Sequence, residues 1–485
     1  MVQAKTVSKT HVKPKKRVGR KEYQLVTFDL PYLAFYYNQK LLFYKVDNIN
    51  GGGHDFEGIV AKLKGGLEVA LEEFHQLAGR LGKDDEGVFR VEYDDDDLTE
   101  GVEVVEASAE DISVDDLAAE EGTEILKDFI PYNGILNLEG LHRPLLSIQL
   151  TKLRDGVAIG CAFNHAVLDG TSTWHFMNSW AQICSGFPAG SSPPFLDRTK
   201  TRNARVKLDL TAMPDPSSQA EAEANGTEDH IKPGSQAACP KLRERVFKFS
   251  EVAIDKIKKS VNAGGGRGST PTSQLDEDDG SSSDKSKKAF STFQSLGIHI
   301  WRAVTAARGL KPEDITVFTV FVDCRKRVEP PMPETYFGNL IQAIFTGTAA
   351  GLLLAHPPEY GAGLIQGAID AHDAAAINKR NSDWEAAPKI FQFKDAGANC
   401  VAVGSSPRFK VYDVDFGFGR PEGVRSGSNN RFDGMVYLYQ GKTGGRSIDV
   451  EIALDPITME RLEMDKGFRL EMEGEKQQQE DTQMP

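Results

Sequence analysis

His165 and Asp169 stand four residues apart in FNHAVLDG (Phe163–Gly170), directly after the apolar run VAIGCAF. An imidazole at the end of a buried strand is held by a rigid sheet and reached through a loop. It titrates near neutrality and can take a proton from a hydroxyl or an amine. The same residue can also be a well-bonded core histidine, the commoner fate of a lone His beside a strand. A zinc site needs two or three further ligands, and only His175 is near, so no metal is expected. Asp169 has two readings. It can pair with His165 and fix its tautomer, or it can be structural, starting the helix at DGTST or forming a buried ion pair. Gly170 lets the backbone turn directly after it. No Gly-x-Ser-x-Gly elbow supplies a nucleophile. That favours a structural Asp169 and a His165 acting directly on substrate.

Two further stretches carry candidate chemistry. YDVDFGFGRP (Tyr412–Pro421) alternates Gly417 and Gly419 with aromatic residues after Asp415. That suits a sharp loop packed closely on something, and a plain turn reads the same way. FTVFVDCRKRVEPPMPETYFGNLI brings Asp323, Arg325 and Arg327 off the end of an apolar strand. The arginines suit a phosphate or a buried carboxylate, and the second is favoured.

The elements that must position these residues are mixed. VAKLKGGLEVALEEFHQLAGRL spaces Val60, Leu63, Leu67, Leu71 and Phe74 as a helix that Gly79 stops. VFRVEY alternates as a strand. LLSIQLTKL and VAIGCAF form a hairpin turning at Arg154-Asp155-Gly156. STWHFMNSWAQIC puts Trp174, Met177, Ala181 and Cys184 on one helical face. Downstream, ITVFTVFVDC is a fully buried strand, LIQAIFTGTAAGLLL a strand then a helix, and MVYLYQ with SIDVEIAL another hairpin. The class is α/β with mixed sheets.

A chain of 485 residues exceeds one ordinary core, so two domains are expected. Composition divides it. Residues 1–20 are a flexible basic leader without the apolar segment of a secretory signal. Residues 21–200 form one domain, 201–240 a flexible linker, and 241–470 a second domain carrying a low-complexity insert at about 262–288. Residues 471–485 are an acidic tail. The net charge of −14 argues against nucleic acid, and part of it is local, in Asp94–Asp97 and Asp276–Asp279. No window has the roughly 18 apolar residues of a membrane helix. The cysteines are five, widely spaced and without CxxC, which suggests reduced thiols and a cytoplasmic setting. Cys161 reads as buried filler.

Taken together, HAVLDG, DFGFG and VDCRKRVEPPMPETYFGN resemble the HxxxD, DFGWG and YFGN blocks of one family. FHQLAGRL and STFQSLGIHIWRA match its pattern too. The chain resembles the plant BAHD acyl-CoA-dependent acyltransferases from about Val26 to about Leu470. TFDLPYLAFYYNQKLLFYK and SSPRF with VDFGFGRPEGVRSGSNNRF resemble those members tied to cutin formation.

The resemblance implies a two-domain fold of the chloramphenicol acetyltransferase kind, with a solvent channel between the domains and His165 midway along it. It implies acyl-CoA as co-substrate without a permanently bound cofactor, and an alcohol acceptor, a hydroxylated fatty acyl group or glycerolipid. His165 would be the general base. Asp169 would turn from the channel to an arginine, Arg325 before Arg327. Asp415, Gly417, Phe418 and Gly419 would belong to the channel. Phe418 stands where the family has Trp, so an oxyanion donor would come from backbone N–H groups or from Ser405 and Ser406. Lys256 and Lys259, with Lys258, would meet the CoA phosphates or form a solvated helix face. A monomer is expected. The alternatives are a hydroxycinnamoyl-type transferase acting on a phenolic, a non-catalytic lipid-binding relative, and a thioesterase.

Overall fold

The structure is a computed structural model, and it describes residues 4–46, 55–96, 101–188, 192–210, 242–263, 289–390, 397 and 399–470. Most of the expected linker, the insert from 264 to 288 and the acidic tail lie outside the described residues.

Two six-stranded mixed sheets carry the molecule. The first runs β1 (Lys5–Val12), β6 (Val102–Ala109), β7 (Leu146–Leu153), β8 (Gly156–Phe163), β3 (Asn38–Lys45) and β13 (Gly423–Ser426). The second runs β11 (Ile341–Ala349), β10 (Ile315–Asp323), β12 (Cys400–Val403), β14 (Met435–Gln440), β15 (Ile448–Leu454) and β9 (Arg243–Phe249). A small sheet of β2 (Lys21–Gln24), β5 (Phe89–Tyr93) and β4 (Arg80–Lys83) flanks them. Parallel pairs, β6 with β7 and β12 with both β10 and β14, sit among antiparallel ones.

Both expected hairpins form, β7 with β8 and β14 with β15. The helix Gly170–Cys184 buries Trp174, Met177, Ala181 and Cys184, as its spacing predicts. It packs along helix Phe56–Ala70. No helix among the described residues is long and apolar enough to cross a membrane.

Four expectations are corrected. The leader is not flexible from residue 5 onward: Lys5–Val12 is strand β1, paired antiparallel with β6. Its alternating Thr, Ser and Val suit an edge strand, and lysines on its open side discourage further pairing. The basic residues that follow meet acidic partners, Arg17 on Asp95 and Asp96 and Lys16 on Glu72. The first long helix ends at Ala70, well before Gly79. The chain turns there so that Phe74 packs edge-on to Phe176 and Phe337. Gly79 serves instead where a side chain would collide with the Glu92 carbonyl. β10 is not buried throughout: Val317, Phe321 and Val322 are only partly buried and Ile315 is 58% exposed.

The fourth concerns the division of the chain. β13, from the second half, pairs with β3 from Gly423 opposite Phe43 to Ser426 opposite Lys40. The core under the first sheet takes Val411, Val414, Phe416, Val424, Met435, Tyr437 and Tyr439 from the second half. Alternation along β14 explains how: Val436 and Leu438 face the second core, while Tyr437 and Tyr439 face the first.

Candidate active site

β8 ends at Phe163, and the next two residues lock the corner. The buried Asn164 side chain donates to the Asn137 carbonyl at 2.7 Å and accepts the Ala166 N–H at 3.1 Å. The His165 N–H donates to Asn137 Oδ1 at 2.8 Å, and the His165 carbonyl accepts from Asn339 Nδ2 at 2.8 Å. The half-buried imidazole stacks on the Tyr32 ring at 4.5 Å with an interplanar angle of 8°. Nδ1 has no hydrogen-bond partner on another residue. Burial pushes the His165 pKa down. Its own carbonyl, Asp169 and Asn339 pull it back, and the charge on Lys40 pushes it further down.

Asp169 is saturated elsewhere. It caps helix Gly170–Cys184 through Ser172 N–H at 3.0 Å and accepts Leu340 N–H at 3.0 Å. Arg325 meets both of its oxygens, Nη1 at 2.9 Å and Nη2 at 3.0 Å. Burial pushes the Asp169 pKa up, but the Arg325 guanidinium outweighs it and the carboxyl titrates below its usual range. The triad-like reading therefore has no hydrogen bond to stand on. Arg327 goes to the Ile369 and His372 carbonyls instead. Gly170 adjoins the Phe409 ring, where a side chain would crowd it.

A second buried pair supports the corner, and the motifs alone did not reveal it. Asp29 and Arg198, both almost without exposure, pair at 2.8 Å. Asp29 Oδ1 also accepts the main-chain and side-chain N–H groups of Asn339, each at 3.1 Å. Asn339 thus links the buried pair to the His165 carbonyl. The signal was present in TFDLPY and YFGN, but only contact in space makes them one unit.

The other candidates land elsewhere. Asp415 Oδ1 accepts the N–H of Gly417 at 2.7 Å and of Gly419 at 3.0 Å. Both glycines have positive φ, +91° and +105°, which this turn requires. Phe418 packs edge-on to Tyr44 at 5.1 Å. The Asp415 carbonyl accepts from the Ser185 hydroxyl at 2.6 Å. Ser185 caps the far end of helix Gly170–Cys184, fifteen residues or about 22 Å from the His165 end. The DFGFG loop is therefore remote from the imidazole, and the Trp-to-Phe exchange removes no donor there. Ser405 uses its hydroxyl to bridge β14, donating to the Leu438 carbonyl and accepting the Leu438 N–H, each at 2.7 Å. Ser406 accepts from Arg408 N–H at 3.2 Å. Neither expected oxyanion role is supported by these contacts.

Helix Glu251–Val261, with Lys256 and Lys259, packs on the second core, on the face of that sheet turned from Tyr437 and Tyr439. Lys256 lines a cleft of about 470 Å³ with His299, Arg302 and Asp465. The lysines are not brought to the His165 corner. No group of three or more His, Cys, Asp or Glu among the described residues is placed to hold a metal.

Comparison with known proteins agrees with this architecture. The model of the Transferase family matches residues 2–468. BAHD acyltransferase DCR of Arabidopsis thaliana is 62% identical over 97% of this chain and 93% of its own length. Hydroxycinnamoyltransferase 2 of Oryza sativa subsp. japonica is 30% identical over 85% of this chain and 87% of its own. Among solved structures, vinorine synthase superposes with a TM-score of 0.64 at 18% identity, covering 95% of this chain and 96% of its own. TRI101 of F. graminearum, complexed with coenzyme A and T-2 mycotoxin, gives 0.69 at 18%, covering 92% and 98%. The chain belongs to the BAHD acyltransferases of the Transferase family and is an acyl-CoA-dependent acyltransferase.

Proposed function

We propose that the protein transfers an acyl group from a CoA thioester to the hydroxyl of a hydroxylated fatty acyl or glycerolipid acceptor, with His165 as general base. The observation that carries this is the His165 corner. Its backbone is clamped through both N–H and C=O, its ring is held flat on Tyr32, and Nδ1 is bonded to no other residue. His165 Nε2 takes the acceptor's hydroxyl proton as that oxygen attacks the thioester carbon. A tetrahedral oxyanion forms and collapses, the C–S bond breaks, and the proton on Nε2 passes to the departing thiolate. General base catalysis of this kind contributes about 10²- to 10⁴-fold. Holding both substrates in one site adds the gain of a local over a bimolecular step.

Asp169 and Arg325 act at one remove, by fixing the turn and Leu340 beside Asn339. The reading includes a channel between the two sheets that admits CoA thioester and acceptor, and a cytoplasmic monomer. Reduced thiols fit that compartment: Cys161, Cys184, Cys324 and Cys400 are free and buried, and burial pushes the Cys184 thiol up to about 12.

The test offers purified protein a panel of long-chain, ω-hydroxy, hydroxycinnamoyl and malonyl thioesters, each with glycerolipid, hydroxy-fatty-acid and phenolic acceptors. His165→Ala runs beside it. The expected result is an ester that falls about 10²- to 10⁴-fold in the variant. The working base is the neutral imidazole, so kcat/KM holds above the folded-state pKa and falls as pH drops through it. Burial places that limb below the ordinary histidine value of about 6.5. Free CoA without ester would mean hydrolysis, and an unaffected His165→Ala would remove His165 from the chemistry.

A further inference from the structure

Lys40 is a buried cation that the mechanism above does not use. It lies on β3, opposite Cys161 of β8 and Ser426 of β13. Alternation puts it on the same face as Leu42 and Tyr44, which belong to the core shared by both halves of the chain; Leu41 and Phe43 face the other way. It is 4% exposed. Its Nζ lies 5.7 Å from the Tyr437 ring centre and 5.9 Å from that of Tyr439. Its hydrogen-bond acceptor is Asn38 Oδ1 at 3.1 Å. An ammonium has three donors, and no carboxylate among the described residues lies within ion-pair distance of this one.

The nearby charges are committed elsewhere. Glu451 pairs with Arg431 at 2.9 Å and accepts Ser426 N–H at 3.1 Å. Glu244 lies 4.0 Å from Arg431. Burial pushes the Lys40 pKa down to about 8, with Glu451 pulling back and Arg431 pushing further. A buried charge without a counter-charge is costly, and a position that keeps one is a candidate for ligand recognition.

The direction of the side chain matters. Nζ turns toward Asn38, and Asn38 pairs with Phe163, two residues before His165. The Lys40 charge acts on the His165 imidazole itself. The ammonium thus stands at the His165 end of the strand, in electrical reach of the base and without bonding to it.

We propose that Lys40 recognises a carboxylate on the substrate whose reacting group sits at His165, so that this transferase selects acidic substrates. This rests on the acyl-transfer reading above. The carboxylate can belong to the acceptor, as a hydroxy acid, or to the acyl chain, as a dicarboxylic thioester.

The experiment compares matched pairs. One arm uses hydroxy-acid acceptors of graded chain length against their methyl esters. The other uses dicarboxylic acyl-CoA donors against their monomethyl esters. In the arm that carries the true source, the wild type is expected to prefer the free carboxylate. The ratio of kcat/KM, carboxylate over ester, should fall about 10- to 100-fold in Lys40→Met, the range of a hydrogen bond to a charged group, and be largely kept in Lys40→Arg. Equal losses on both members of each pair, or no preference in the wild type, would overturn the proposal. A second measurement needs neither turnover nor a folded Lys40→Met: binding of carboxylate and ester to His165→Ala protein by calorimetry. Tighter carboxylate binding is expected, and equal binding in both arms would overturn the proposal even if no ester product had been found.

Discussion

Helix Gly170–Cys184 has a recognisable sequence block against each end, and the two ends are built from different materials. At its start, buried charges do the holding: Asp169 with Arg325, and Asp29 with Arg198, all fully enclosed and multiply bonded. Amid them one imidazole keeps Nδ1 free of any other residue. At its end, rings and main chain do the holding. Phe416 meets the Trp180 ring edge-on at 4.7 Å, Tyr44 meets both Phe416 and Phe418, and Asp415 closes its own turn. The first end can do chemistry because its charges are spent on holding one group still. The second end joins the two halves of the chain, since the Asp415 loop leads into β13 on the first sheet.

The largest effect expected from this contrast is at Asp169. Asp169→Asn leaves Arg325 as a buried cation short of its main partner, and breaking such a pair costs about 3–5 kcal/mol. Activity should fall together with stability, because Asp169 also holds Leu340, next to the Asn339 that clamps His165. Chemical denaturation beside kinetics checks this. Unchanged stability with lost activity would move Asp169 into the chemistry and blur the division between charge that holds and ring that reacts.

Much of this corner was legible in the sequence, for physical reasons. The hairpin leading to His165 is written as two apolar runs around Arg-Asp-Gly, and period and turn chemistry suffice to read it. Asp169 as a helix cap or buried ion-pair partner follows from residue types and the absence of a nucleophile, while its pairing with Arg325 is what the family resemblance implies. What escaped needs distance. Nothing in DFGFG states that it lies a helix length from His165, so its glycines and its Phe418 read equally well as part of the reaction site. Nothing in the types around Lys40 marks it out. Between β8 and β13, it is covered by Tyr437 and Tyr439 of β14 from the second half, which no local pattern announces. The leader looked solvated because its charge is visible in sequence, whereas the open edge of β6 that receives it is not.

A smaller effect is expected at Asp415. Asp415→Ala deletes the acceptor for two N–H groups in a half-exposed loop. A cost of about 1.5 kcal/mol is expected, the low end for bonds to a charged group. In the thermal melt this appears as a lower midpoint, while kcat/KM of the folded protein stays at the wild-type value. A KM that rises with the melting temperature unaltered would show the loop touching substrate.

The smallest effect separates the two ends most sharply. Phe418→Trp restores the indole N–H that the family's sequence pattern carries, at a half-buried site against Tyr44. If the loop only packs, kcat/KM should stay within about twofold, and the larger ring changes stability only through its fit against Tyr44, by about 1 kcal/mol or less. If the indole instead reached the oxyanion, kcat should rise by about 10² or more, the effect of one such donor. A companion Phe418→Leu removes the edge-on pair with Tyr44 and should cost about 0.5–1.5 kcal/mol. Loss of stability without loss of rate in Phe418→Leu, together with an unchanged rate in Phe418→Trp, is the combination that only a joint, and not a reaction site, produces.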